Sequence, residues 1–447
     1  MLPTESGPTT MTHSLAESPA YRNHPAKLFV EVTTHCNLGC AMCVKQTKHH
    51  GMTEGLMAEE TFSALVPAFP HLEVLILNGI GEPLLHPQLE AYIRRAKEQM
   101  PATGWVGFQS NGLLLTKEKA SSLVAAGLDR ICISMDSASP ETFRRFREGG
   151  EVGDVERAFA ALNGARAAHQ ASRLQIGIEF VVMRDNIREL PETLRWAARR
   201  GATFALATQL VPYDENHASH VAYDNNTDEA VTHFEAWKRM AREEGVDLAR
   251  YGQVAWKYSR TPEEQRIVDF VARMKEDALS RKLFINLDKL LARDAVWFDE
   301  AGSIFDEARE VAAQEGLDLK LPELVPREKR RCEFVEGGGA FVSWEGNVHP
   351  CYFLWHRYQC HVQGWSQLVR PKSFGSVTER NLLDIWNDAA FRGFRENVLL
   401  YDYPHCFSCA LAPCDYVQTD AFEQDCHIRS EPCGSCLWCM GVFQCLQ

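Results

Sequence analysis

Between residues 27 and 211 the hydrophobic positions alternate between two periods. Short apolar runs at 28–33, 72–78, 105–109, 130–134, 174–182 and 204–211 read as strands. Between them, 58–66, 87–98, 117–126, 155–168 and 190–199 carry apolar residues at i, i+3 and i+4, the stripe of an amphipathic helix. Ser139-Pro140 and Asp185-Asn186 supply helix starts, and Gly127 and Gly201 supply stops. Strand–helix units repeating at about 35-residue spacing predict a parallel sheet with helices outside it. Six units rather than eight predict an open, partial (β/α)6 barrel of the α/β class.

The rest of the chain has a different pattern. Residues 213–330 are helical in period and rich in charge, with stripes over 228–244, 261–282 and 303–314. The last of these reads as the final barrel helix. Residues 220–300 then form a helical insertion that caps the barrel mouth, docks a partner or is a solvated elaboration. Residues 1–24 are polar, rich in Ser, Thr and Pro, and read as a disordered leader without a secretory signal. The predicted organisation is leader 1–24, barrel 25–212, insertion and last barrel helix 213–330, and a cysteine-rich domain 331–447. No run of 18 apolar residues argues for a membrane span. The net charge of −13 argues against nucleic acid as a partner.

Cysteine usage changes the picture. There are fifteen, and eleven lie from Cys332 to Cys445. In a chain without a secretory signal, C-x2-C pairs point to metal rather than disulfides, and to a reducing cytoplasm. Cys36, Cys40 and Cys43 form C-x3-C-x2-C directly after the first strand. A 4Fe–4S cubane normally takes four thiolates. Three closely spaced ones leave an iron open to a non-protein ligand. A zinc knuckle recruiting His35 or His49 is the alternative.

With Met42 before the third cysteine, this spacing and setting resemble the radical S-adenosylmethionine (radical SAM) superfamily, whose fold is a partial TIM-like barrel. Parallel barrels carry their chemistry on loops after the strands, and the other motifs fall there. Gly79-Ile80-Gly81-Glu82-Pro83 follows the second strand and resembles the superfamily's G-G-E-P motif. The resemblance implies that Gly79, Gly81, Glu82 and Pro83 hold the methionine amino group. Asn111, after the third strand, and Ser134 and Asp136, at the end of the fourth, resemble positions that contact cofactor or substrate. Glu179 sets a carboxylate inside the apolar fifth strand. It reaches the cofactor or substrate, or is a satisfied core or solvent-facing acid. Cys132, between Ile131 and Ile133, reads as inert core.

Cys332-x13-Gly346-x4-Cys351 resembles the opening of the SPASM domain, an extension that binds auxiliary 4Fe–4S clusters, and Phe374–Val377 followed by Leu382–Asn387 resembles its strand and helix. Cys406, Cys409, Cys414, Cys426, Cys433, Cys436, Cys439 and Cys445 follow. Two clusters need eight thiolates, so two auxiliary clusters are expected without assigning cysteines to either. Cys360 is the spare, and structural zinc at 433–439 is the alternative. The tail 436–446 resembles that of SPASM proteins proposed to mature metalloenzymes.

The resemblance implies an enzyme of the oxidoreductase or maturase type. An electron from a flavodoxin or ferredoxin would cleave S-adenosylmethionine at the cluster of Cys36, Cys40 and Cys43. The 5′-deoxyadenosyl radical would then oxidise a peptide or protein substrate. The alternatives are dehydrogenation of a small molecule, such as an amino sugar or a tetrapyrrole, and a non-catalytic electron-transfer or scaffold protein.

Overall fold

The computed structural model describes residues 18–47, 50–169, 172–362, 366–403, 406 and 432–447. Nine strands form the main sheet: β1 (Lys27–Val30), β2 (Val74–Ile76), β3 (Trp105–Ser110), β4 (Arg130–Ser134), β5 (Gln175–Val182), β6 (Phe204–Gln209), β7 (Asp318–Lys320), β8 (Gly339–Val342) and β9 (Val348–His349). Their order is β7-β6-β5-β4-β3-β2-β1-β8-β9. The first eight are parallel, and β9 returns antiparallel on β8. The α/β partial barrel is as expected, with its six strands extended by one at one edge and two at the other.

The extension has a direct cause. β1 is apolar on both faces (Leu28, Phe29 and Val30 are all buried), so it needs a neighbour on each side. It pairs with β2 on one side and with β8 on the other, with Phe29 opposite Phe341 and Val30 opposite Val342. The cysteine-rich region therefore continues the barrel sheet. Phe341, Tyr352 and Trp355 pack against one another with ring centroids 4.9 to 5.3 Å apart, and Phe29 lies 5.2 Å from Tyr352.

Helices Leu89–Gln99, Lys117–Ala125, Val152–Ala168 and Leu190–Arg199 cover the sheet as the periodicity predicts. The stripe at 58–66 is only a short helix, Glu59–Ser63, passing into a 3-10 segment, Val66–His71. Pro67 and Pro70 lack the N–H groups an α-helix requires there. The expected last barrel helix begins earlier, as Ala295–Glu315, and lies against Leu190–Arg199 through Arg188–Glu300 and Arg195–Glu307 ion pairs. The insertion has its own core, Phe234, Ile267, Phe270, Met274, Leu287 and Leu290, between helices Asp228–Glu243, Pro262–Ser280 and Leu287–Leu291. Thr261 and Glu264 form a capping box at the start of the second.

The sheet does not close on itself. Residues 439–447 fill the seam between its edges. Backbone N–H groups of Glu323, Arg327 and Arg331 donate to the carbonyls of Gly441, Met440 and Cys439 at 2.8, 3.0 and 2.8 Å. Gln444 donates from its backbone N to Thr208 Oγ1 and from its side chain to the Leu321 carbonyl.

Part of the expected leader is folded. Trp386 Nε1 donates to the Arg22 carbonyl at 2.8 Å, and buried Arg395 donates to the Ala20 carbonyl at 2.9 Å while stacking 3.7 Å over the Trp386 ring. Residues 18–24 are thus ordered by backbone carbonyls, which composition does not register. Trp386→Ala should lower unfolding free energy by about 3–5 kcal/mol, read as a fall in urea midpoint; an unchanged midpoint would contradict this packing.

Candidate active site

The carboxyl ends of the strands open into one cavity of about 320 Å³. Cys36, Cys40, Met42 and Cys43 line it from the loop after β1, Gly79 to Glu82 from the loop after β2, and Asn111 and Ser134 from the ends of β3 and β4. Two predicted residues stand behind it. Pro83 is buried in the short turn Pro83–Leu85. Asp136 is fully buried, its carboxylate accepting from Arg147 Nε at 2.6 Å and from the Val181 N–H at 2.9 Å. The residue that reaches the cavity from there is Arg147. No motif marks it in the sequence. Burial opposes its charge, but Asp136, with Cys40 and Glu179, more than offsets that and keeps it protonated.

The cysteine loop is held by backbone contacts. Gly39 and Ala41 donate to the carbonyls of Glu148 and Phe146 at 3.2 and 3.0 Å, and Cys43 N closes a turn on Cys40 O at 3.0 Å. The 79–82 loop lies directly against it, with Glu82 N donating to His35 O at 2.7 Å. A Cβ on Gly81 would stand 2.4 Å from the Thr33 carbonyl oxygen and 2.6 Å from that of His35, so only glycine allows this approach. Buried Glu82 accepts from Ser110 Oγ, the Asn111 N–H and the Leu84 N–H at 2.8, 2.7 and 3.1 Å. It therefore ties β2 to β3 as well as lining the cavity. Asn111 in turn donates to Asn37 Oδ1 in the cysteine loop at 2.8 Å.

The opposite wall was not legible as a motif. It comprises Gln109, Glu179, Thr208 and Gln209 from the barrel, and Tyr352, Trp355, Trp438, Phe443, Gln444 and Cys445 from the C-terminal region. Asn78 Nδ2 donates to Gln109 Oε1 and to the Tyr352 hydroxyl, both at 3.1 Å. Gln109, Thr208 and Gln209 are marked in the sequence only by their position at strand ends, whereas Glu179 and Cys445 stand out there but not as parts of one wall. Glu179, partly accessible from the cavity, has its pKa pushed up to about 7 by burial; Arg147 opposes the rise and Asp136 adds to it.

The donor set fits iron–sulfur chemistry. Three thiols surround the same end of the cavity beside a cation, with Arg147 Nη1 3.9 Å from Cys40 Sγ. Burial raises the thiols of Cys40 and Cys43, the latter to about 11, so a thiolate there needs a metal as counter-charge. A second, apolar cavity is lined by Cys332, Cys351, Cys433, Cys436 and Cys439. Among the described residues no three His, Cys, Asp or Glu side chains converge on a point that would hold a single metal ion. Cys406 is described but lines neither cavity, and Cys409, Cys414 and Cys426 lie outside the described residues. Cys132 and Cys360 are fully buried.

Gly81→Ala should push the two loops apart and weaken S-adenosylmethionine binding about tenfold or more, measured by equilibrium dialysis; unaltered binding would show that the approach is dispensable. Glu179 carries a pH signature. Its folded pKa of about 7 exceeds the ordinary carboxyl value of 4.5, so between these pH values the folded state holds more protons. Stability should therefore fall as pH rises from about 4.5 to about 7. Glu179→Gln should flatten that part of the urea-midpoint profile.

Comparison with known proteins agrees with this geometry. Residues 30–197 match the model of the radical SAM superfamily, and residues 332–410 match the SPASM iron–sulfur cluster-binding domain. A tungsten-containing aldehyde ferredoxin oxidoreductase cofactor-modifying protein of Pyrococcus furiosus is 27% identical over 426 residues, covering 94% of this chain and 96% of its own. A probable GTP 3′,8-cyclase of Methanococcus maripaludis is 27% identical over 195 residues, and the match spans 43% of this chain and 61% of the cyclase. Streptococcus suis SuiB bound to its precursor peptide SuiA superposes with a TM-score of 0.47 at 12% identity, covering 87% of this chain and 70% of SuiB. Among the described residues no helix is long and apolar enough to cross a membrane. The chain thus carries a radical SAM domain over 30–197 and a SPASM iron–sulfur domain over 332–410, as an enzyme that uses S-adenosylmethionine and 4Fe–4S clusters.

Proposed function

We propose that this enzyme is a maturase: it cleaves S-adenosylmethionine reductively in the barrel and uses the radical to modify a partner metalloenzyme oxidatively. One observation carries the reading. A single chamber is lined both by the three-cysteine loop and by Tyr352 and Trp355 of the region that matches the cluster-binding domain. The likeness to a cofactor-modifying protein over nearly the whole of both chains supports the maturase class.

Cys36, Cys40 and Cys43 would hold the catalytic cluster. Bound there with S-adenosylmethionine and given an electron by a flavodoxin or ferredoxin, it supplies a 5′-deoxyadenosyl radical that takes a hydrogen atom from substrate. The chain's own groups bind and orient. Arg147, fixed by Asp136, offers a cation to the cofactor's carboxylate. Glu82, fixed by three donors, and the backbone of 79–81 face its amino group. Trp355, Trp438, Phe443 and Tyr352 keep the far wall dry. Cys332, Cys351, Cys433, Cys436 and Cys439 would hold auxiliary iron, placed to accept the electron released when a substrate radical is oxidised.

The chamber bears on substrate form. At about 320 Å³ it is at the small end of ligand pockets, and the cluster and S-adenosylmethionine would share it with the substrate. A polypeptide would insert one side chain or terminus rather than a folded segment. That size also favours a second reading, in which the group modified is a small molecule, including a cofactor bound for a metalloenzyme.

Replacing Cys36, Cys40 and Cys43 together by Ala should remove about four of about twelve irons and abolish 5′-deoxyadenosine formation under dithionite. Iron retained at about twelve would remove these residues from the ligand set. To separate the two substrate readings, a metalloenzyme co-expressed with wild type or the triple variant is compared by mass spectrometry. A mass change in its polypeptide supports the first reading. A change confined to its extractable cofactor supports the second.

A further inference from the structure

Six described cysteines of the C-terminal region line one or other of two cavities, while Cys360 and Cys406 line neither. Cys332, Cys351, Cys433, Cys436 and Cys439 line the apolar one, together with Phe334, Val335 and Phe353. Cys445 does not line it. It lines the barrel chamber, on the wall that also holds Glu179, Gln209 and Gln444. Trp438 lines both cavities and stands between them, and its indole N–H donates to Cys445 Sγ at 3.3 Å. That contact fixes the sulfur on the chamber side while leaving the thiol hydrogen uncommitted; among the described residues no acceptor receives it. The adjoining backbone is fixed by Gln444 N donating to Thr208 Oγ1 at 3.1 Å.

Two side chains that line the same chamber carry buried acceptors without a partner among the described residues, Asn78 Oδ1 and Gln209 Oε1. Both side chains are more than nine-tenths buried, at 7% and 2% exposure. Asn78 has already committed its amide N–H to Gln109 and Tyr352, and Gln209 donates to the Glu323 carbonyl at 3.3 Å. A buried carbonyl oxygen left without a donor is costly. A ligand that brings N–H or O–H groups into the chamber that Asn78, Gln209 and Cys445 all line would relieve that cost.

Resting on the radical reading above, we propose that Cys445 is not an auxiliary-cluster ligand but a chamber thiol that gives a hydrogen atom to a carbon radical formed there. In that step the S–H bond breaks, a C–H bond forms, and a thiyl radical is left on Cys445. One electron and one proton then restore the thiol, the electron coming from a low-potential one-electron donor of the ferredoxin or dithionite class. At a substrate carbon this hydrogen return would compete with loss of an electron to the auxiliary iron, and a turnover quenched by Cys445 would be redox-neutral at that carbon rather than oxidative.

The test uses the full chain, reconstituted anaerobically with iron and sulfide, and S-adenosylmethionine as probe. The protein is exchanged into D2O and given dithionite without added substrate, so that the thiol is S–D and the adenosyl radical is the carbon radical quenched. Wild type should yield 5′-deoxyadenosine carrying one solvent deuterium. Cys445→Ser should lower that deuterated fraction at least about tenfold, while iron per chain and the auxiliary-cluster EPR signals stay as in wild type. Cys436→Ser, by contrast, should lose about four irons. A loss of that size in Cys445→Ser, with the auxiliary signal, would make Cys445 a ligand and overturn the proposal. Equal deuteration of an iron-replete variant would overturn it too. If the serine variant does not fold, Cys445→Ala gives the same readouts. No deoxyadenosine from iron-replete wild type would overturn the radical reading itself, and the proposal with it.

Discussion

The parallel pairing of β8 on β1 fixes the distances on which the rest depends. β1 carries the three-cysteine loop at its end, and β8 leads through β9 to Cys351 and Tyr352. Because both strands are in one sheet, the two thiol sites are attached to a shared rigid element rather than to domains joined by a linker. The Phe29, Phe341, Tyr352 and Trp355 cluster locks that attachment with aromatic edges and faces. Tyr352 then extends the same packing into the chamber, where its hydroxyl meets Asn78.

Around this frame the active end is built largely from backbone. The loops after β1 and β2 touch through Gly81, and Glu82 links β2 to β3 by three hydrogen bonds. Asn111 and Arg147 bring side chains back to the cysteine loop from β3 and from the turn beyond β4. The first two contacts join neighbouring strands, and those of Asn111 and Arg147 reach past one and two intervening strands to the loop after β1, so the arrangement is over-determined. Such bracing suits a site in which a reactive radical must meet one hydrogen and no other.

Much of this was readable in the residues, and the exceptions have physical causes. Alternation of apolar periods gave the six barrel strands, and thiol spacing picked out the loop of Cys36, Cys40 and Cys43 that lines the chamber, because both are local in sequence. β8 was not recognised as a barrel strand, since nothing in Gly339–Val342 says which edge it will join. Asp136 looked like a contact residue because it ends a strand, but its carboxylate faces Arg147, eleven residues further on. Arg147 itself lies in no motif, and its role exists only through that long-range pair. The chamber wall of Gln209, Tyr352 and Cys445 draws on three separated stretches of chain, which periodicity cannot bring together. Residues 18–24 were read as leader because polar composition does not reveal that their carbonyls satisfy Trp386 and Arg395.

The strip that fills the seam has one more consequence. Cys433, Cys436 and Cys439 belong to the same short stretch as Phe443, Gln444 and Cys445, which wall the chamber. Iron seated in the apolar cavity would therefore tether the strip that shuts out water from the barrel. A chain without that iron has less to hold its own door closed, so metal loading at one site becomes the condition for a sealed reaction vessel at the other.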